Sequence, residues 1–144
     1  MRIETFLHES PLFCVMQTSR RFDAMTAELF KPDGLSLLEA LVLSALFFES
    51  AVPVKPSQLA ETFDTTRSNV SHCISSLEAR GFVQRKVDPA DARAYHLVLK
   101  PQGRKVAVRV IGAMDKLQNH FEQQVGRDSL RRSLGVIRKL ATPE

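Results

Sequence analysis

The chain has no tryptophan, one tyrosine and two cysteines in 144 residues. Cys14 and Cys73 stand far apart and fit neither a disulfide framework nor a metal-binding spacing, which favours a reducing compartment. No apolar run is long enough to span a bilayer, and the first residues lack the basic, apolar and small-residue succession of an export signal. A cytoplasmic location without a membrane partner is expected. Catalytic signatures are missing as well: no nucleophile elbow, phosphate loop or paired-carboxylate arrangement is present. His72 and Cys73 are adjacent, so a helix would point them about 100° apart, too divergent for one metal. His8, His96 and His120 have no partner at ligand spacing. The expectation is a non-enzyme with no metal and no cofactor.

The residues present, 44% hydrophobic and 25% charged, suffice for one compact domain over 1–144. The pattern is mainly α with a small β-hairpin. Ser10-Pro11 supplies a helix cap and a proline at the first helical position, and the helix should run to about Phe30. Leu12, Phe13, Met16, Phe22, Met25 and Leu29 form its apolar surface. Ser36-Leu37-Leu38-Glu39 is a capping box, and the helix behind it is apolar nearly all round, as in a domain centre or a subunit interface. Ala51-Val52-Pro53-Val54 is an extended connector.

The stretch from Pro56 to Gly103 reads helix, turn, helix, strand, loop, strand. A short helix begins at Ser57, Phe63 to Thr66 turn, and a second helix runs from Thr66 to Arg80, where Gly81 stops it. Phe82–Val87 and Ala94–Leu99 are β-prone, with Asp88–Arg93 as the loop between them. This is the order of a winged helix-turn-helix, which places one helix in the DNA major groove and a hairpin beside it. Charge agrees with that use. The window from Lys55 to Lys105 holds nine basic and five acidic residues, whereas the remainder holds eleven of each. The whole excess of +4 therefore lies in the window, as a polyanion partner would require. After the hairpin, Pro101 starts another long helix with Val106, Val110, Ile111, Met114, Leu117 and Phe121 at helical spacing. A last helix from about Asp128 to Leu140 follows Gly126. The terminal helices carry more apolar surface than the helix-turn-helix can cover. That points to a homodimer built from 1–35 and 101–144 around a DNA-binding lobe at 51–100.

Leu59-Ala60-Glu61, Thr66 to Ser71, Leu77 to Arg85, Asp91-Ala92-Arg93, and Leu97-Val98-Leu99 followed by Gly103 resemble the MarR family of bacterial regulators. Lys100 departs from the pattern, which usually has threonine before the helix that follows the wing. The resemblance implies a homodimer that binds a near-palindromic double-stranded operator and usually represses transcription until a small molecule or an oxidant releases it.

Thr66 is the expected cap of the reading helix, with Arg67, Ser68, Asn69, Ser71 and His72 at the end that enters the groove. Arginine can pair with guanine and asparagine with adenine, while serine and threonine hold phosphates. Val70, Ile74 and Leu77 fall on the opposite face. Arg93 is the wing residue: in the family the matching arginine enters the minor groove or is held by the acid two positions before it, here Asp91. Lys55 is a candidate phosphate contact at a helix start. Phe22, Met25, Leu43 and Phe47 suggest an effector cleft for a small apolar or aromatic compound. Leu12-Phe13-Cys14 resembles the cysteine site of peroxide-sensing relatives and makes Cys14 the alternative, redox, trigger. Such thiols use nearby tyrosines, this chain has only Tyr95, and no basic residue lies within a turn of Cys14, so a buried structural cysteine is expected. A winged-helix module that binds protein is the other alternative.

Overall fold

The computed structural model describes residues 1–142, and of Ala92 only the backbone. Positions 143 and 144 of the segment expected to dimerise lie outside the described residues. The chain falls into two compact units, Met1–Val108 and Arg109–Glu144. No helix is long and apolar enough to cross a membrane among the described residues.

The first unit starts with helix α1 (Arg2–Glu9), which was not among the expected elements, and α2 (Pro11–Phe30). Ser10 caps α2 by accepting the Phe13 N–H at 3.3 Å, and Pro11 follows it. A 3-10 turn (Lys31–Asp33) ends at Gly34, whose φ of 62° is the left-handed conformation that glycine adopts without strain. Helix α3 (Leu37–Phe48) opens with the expected capping box: Ser36 Oγ accepts from Glu39 N at 3.1 Å and Glu39 Oε1 from Ser36 N at 3.0 Å. Ala40, Val42, Leu43, Ser44 and Leu46 of α3 are buried, so it is the central helix of the unit. Ser44 satisfies its hydroxyl on the Ala40 carbonyl at 2.8 Å.

Helices α4 (Pro56–Thr62) and α5 (Arg67–Ala79) make the helix-turn-helix. Strands β1 (Val83–Asp88) and β2 (Asp91–Leu99) form an antiparallel hairpin. Val54 of the connector adds a bridge to Leu97, whose N–H donates to the Val54 carbonyl at 2.9 Å. The core gathers Val42, Leu43, Val70, Ile74, Leu77 and Val83, all essentially without solvent contact. Each such side chain contributes on the order of 1.5–3 kcal/mol of transfer free energy.

Helix α6 (Pro101–Val125) begins in this unit. Its first turn is seated on the end of the helix-turn-helix: the Lys100 N–H donates to the Phe82 carbonyl at 2.9 Å. Gly103 lies so close to the Phe82 backbone that a Cβ would overlap the Phe82 carbonyl group. In the second unit α6 continues with Ile111, Met114, Leu117 and Phe121 half-buried. Gly126, at φ 83°, turns the chain into α7 (Arg127–Ala141). The Arg127 guanidinium reaches Glu122 at 3.6 Å across that turn. The apolar stripe of α7 is present but uncovered: no described residue of α7 is buried, and Leu134, Ile137 and Leu140 are exposed.

Gly103→Ala should lower stability by about 1–3 kcal/mol, because the obstructing atoms are backbone and cannot swing aside. Gly112→Ala, on the same helix with open space around it, should be neutral or stabilise by up to about 1 kcal/mol. Denaturant unfolding of the two variants side by side checks both signs.

Candidate nucleic-acid interface

One helix is both packed and displayed. The inner face of α5 buries Val70, Cys73, Ile74 and Leu77, at the spacing of one helical stripe. Its other face leaves Arg67, Ser68, Asn69, Ser71 and His72 exposed. Thr66 is the cap, as expected, its Oγ1 accepting from Asn69 N at 3.0 Å. The Asn69 side-chain amide donates to Thr65 Oγ1 at 3.1 Å in the open, a bond that a base edge could replace. The turn into the helix puts Asp64 at φ 50°, left-handed for a residue with a side chain. Aspartate tolerates that region better than most residues.

Polar ties fix α5 to its surroundings. Ser76 donates to Glu39 Oε2 at 3.0 Å, so the carboxylate that caps α3 also holds the middle of α5. The Arg80 guanidinium donates to the carbonyls of Asp33 at 2.6 Å and Gly34 at 3.1 Å and lies 4.7 Å over the Phe82 ring. Arg85 donates to Ser75 Oγ at 2.9 Å and to Tyr95 OH at 3.2 Å. Arg104 lies 5.4 Å over the Phe47 ring. Three of the nine cations in the basic window thus have partners within the fold, although the side chains of Arg80 and Arg104 remain exposed. Lys55, Arg67, Lys86, Arg93, Lys100 and Lys105 are exposed. Residue counting had no means of separating these two groups.

The wing differs from the six-residue loop expected at Asp88–Arg93. The strands extend into it and leave only Pro89-Ala90 between them. Val87 pairs with Tyr95 and Asp88 with Asp91, so β2 advances four residues while β1 advances one. The excess residues, 92–94, form a bulge with Arg93 at its centre, an arrangement that re-aims a side chain at a strand tip. Asp88 Oδ1 accepts from Ala90 N at 2.9 Å and Asp91 Oδ1 from Arg93 N at 3.0 Å. The two carboxylates fold the tip through backbone amides, and Asp91 holds Arg93 by its main chain. The Arg93 side chain is exposed.

Other expectations fare unevenly. Lys55 is exposed at the start of α4, its N–H capped by Gln58 Oε1 at 2.9 Å. Leu43 is wholly buried in α3. Phe47 is half-buried and stands edge-on to Phe48. Phe22 and Met25 are exposed on α2. An open groove of about 600 Å³ runs between α3 and α5, lined in part by Glu39, Asn69, His72 and Ser76. No group of His, Cys, Asp and Glu that could hold a metal occurs among the described residues.

Residues 33–94 match the model of the MarR family. The chain is 27% identical over 100 residues to the HTH-type transcriptional regulator SarU of Staphylococcus aureus, covering 69% of this chain but only 40% of that protein. It is 19% identical to the HTH-type transcriptional regulator BilQ of Clostridioides difficile, over 99% of this chain and 97% of BilQ. Among solved structures, Staphylococcus aureus MepR in complex with DNA superposes with a TM-score of 0.84 at 15% identity, covering 91% of this chain and 96% of that one. At that identity the likeness speaks for the fold.

Cys14 does not have the buried environment expected of it. Cys14 is exposed, while Cys73 is the buried one. Burial, then the neighbouring Glu39 carboxylate, pushes the Cys73 thiol from its ordinary 9.0 up to about 12. A raised acid pKa means that the folded form keeps its proton while the unfolded form loses it. Stability from this thiol is therefore complete below about pH 9 and declines between there and about pH 12. Iodoacetamide at pH 8 should modify Cys14 and spare Cys73 in the native protein, with both modified in denaturant; mass spectrometry of the alkylated chain reads the result directly.

Proposed function

The chain carries a MarR-family winged helix-turn-helix over residues 33–94, and from that premise we propose that it is a dimeric, sequence-specific binder of duplex DNA that regulates transcription. The observation that carries this reading is the division of α5 into a buried apolar face and an exposed face of Arg67, Ser68, Asn69, Ser71 and His72, ending at the Thr66 cap. A helix anchored along one side can present its other side to a groove without losing its core. In this reading Arg67 and Asn69 contact base edges. Thr66, Ser68, Ser71, His72 and Lys55 set register on phosphates, and Arg93 reaches the flanking minor groove from the wing bulge.

The 51–100 lobe reads, and 1–35 with 101–144 join two copies. Exposed Leu12, Met16 and Phe22 on α2 and Leu134, Ile137 and Leu140 on α7 support that division, since apolar stripes of this length call for a partner surface. Two-fold symmetry then places the reading helices about 10 bp apart on near-palindromic operators. Duplex binding by this dimer should fall steeply with salt through counterion release, whereas a protein-binding module would show no such dependence. Arg67→Ala and Asn69→Ala should each cost about 1–3 kcal/mol on the selected site and relax preference at one position per half-site. Arg93→Ala should weaken binding mainly over A·T-rich flanks. Selection from genomic fragments followed by fluorescence anisotropy measures all three; helix variants that bind like wild type would remove α5 from the reading role.

We assign the protein as a repressor released by a small apolar or aromatic compound. Such a ligand shifts the spacing of the two lobes only by preferring one spacing over the other. The exposure of Cys14 meets one of the two requirements of the alternative trigger, oxidation. Helix neighbours of Cys14 one turn away are Ser10, Pro11, Gln17 and Thr18, and none is a cation that would stabilise a thiolate. Mild peroxide should therefore leave operator binding unchanged, and Cys14→Ser should keep the response to inducer. Peroxide release in wild type but not in Cys14→Ser would make the protein a redox sensor.

A further inference from the structure

Arg85 stands where an apolar residue belongs. Along β1, Val83, Arg85 and Val87 alternate onto one face of the hairpin, and the register places Leu99, Leu97 and Tyr95 opposite them on the same face. That face looks toward α5. From it the Arg85 fork joins three elements: Nη2 donates to Ser75 Oγ of α5 at 2.9 Å and Nη1 to Tyr95 OH of β2 at 3.2 Å. Nε lies 3.4 Å from Glu78 Oε1 and, although buried, makes no hydrogen bond. The guanidinium carbon sits 5.0 Å over the Tyr95 ring.

The position of this tie matters more than its strength. A two-stranded hairpin has little stability of its own. The base of this one is held by buried Val83 and Leu97 and by the Val54 bridge. Beyond Arg85 the next inward residue, Val87, is already exposed. Among the bonds described, those of Arg85, which also holds Tyr95, are the outermost that tie the hairpin to α5, and the tip with Arg93 lies beyond them.

We propose that Arg85 is a positioning residue that locks wing and reading helix into one rigid reader, so that the reach of Arg93 is set from Ser75 and Glu78 of α5. This rests on the DNA-binding reading given above. Arg85 itself does not face the duplex in this arrangement; Lys86, on the other face of β1, is the exposed cation of the pair.

The test uses the full-length protein and its selected operator. Arg85→Lys keeps the charge but has one ammonium head, which cannot serve Ser75, Tyr95 and Glu78 together. Operator affinity of Arg85→Lys should fall about tenfold, as for Arg93→Ala, and the double variant should lose less than about twofold more, because the wing contact is already lost. Preference at the base positions read by α5 should not change. Tyr95→Phe, which keeps the ring, should fall between wild type and Arg85→Lys. Hydrogen exchange on the protein alone should show faster exchange over residues 86–96 in Arg85→Lys, with α3 unchanged. Additive losses in the double variant would mean that Arg85 acts on DNA independently of the wing, and unchanged exchange in the hairpin would mean that it holds nothing; either overturns the proposal. Failure of the wild type to bind any duplex would instead overturn the DNA-binding reading, and the exchange experiment would still decide the role of Arg85.

Discussion

The burial of one side of α5 is the constraint on which the candidate interface depends. Val70, Ile74 and Leu77 are fully enclosed, and Cys73 nearly so. A helix of 13 residues is marginal alone in water and takes its stability from such packing. Because the enclosed stripe fixes the rotation of the helix about its axis, it also decides which residues face outward. A shift of one position in that stripe would turn Arg67 and Asn69 away together. The polar ties add translation to rotation: Glu39 holds the middle through Ser76, and Arg80 holds the end through the carbonyls of Asp33 and Gly34.

The basic residues of the lobe divide by role. Guanidiniums engaged within the fold meet carbonyls, hydroxyls and aromatic faces, for which a planar fork with several donors is suited. All three lysines at exposed lobe positions outside the helices' cores, Lys55, Lys86 and Lys100, are instead solvated point charges. A net charge therefore overstates what is available to a polyanion. The exposed share, with Arg67 on the helix and Arg93 on the bulge, is the part that a phosphate backbone can neutralise.

Local signals were legible where chemistry is short-range. Ser10-Pro11, the Ser36–Glu39 box, the Thr66 cap and the Gly81 stop each act within a few residues, and each appears where the pattern placed it. The apolar stripes of the terminal helices were legible too. Features that depend on distant neighbours were not. Helix α1 buries no residue, although Ile3, Phe6 and Leu7 stand at helical spacing and were a signal for it. The wing looked like a loop because Pro89 and two aspartates read as turn formers, while the bulge that lets β2 continue is a matter of pairing. Leu43 and Phe47 lie on the same helix one turn apart, yet only the packed structure separates the enclosed residue from the partly open one. The inward place of Arg85 was available from strand alternation counted from Val83, but a charged residue on a core face invites no such reading until its partners on α5 are known.

The seat of α6 on Phe82 has a mechanical consequence. Phe82 directly precedes β1 and follows the glycine that ends α5, so its carbonyl marks the junction of helix and wing. With the Lys100 amide bonded to that carbonyl and Gly103 pressed against it, the joint has no slack and no side chain that could deform to absorb strain. The first turn of α6 therefore meets the chain at the point where helix and hairpin join. The absence of one methyl group at Gly103 is what lets this joint close.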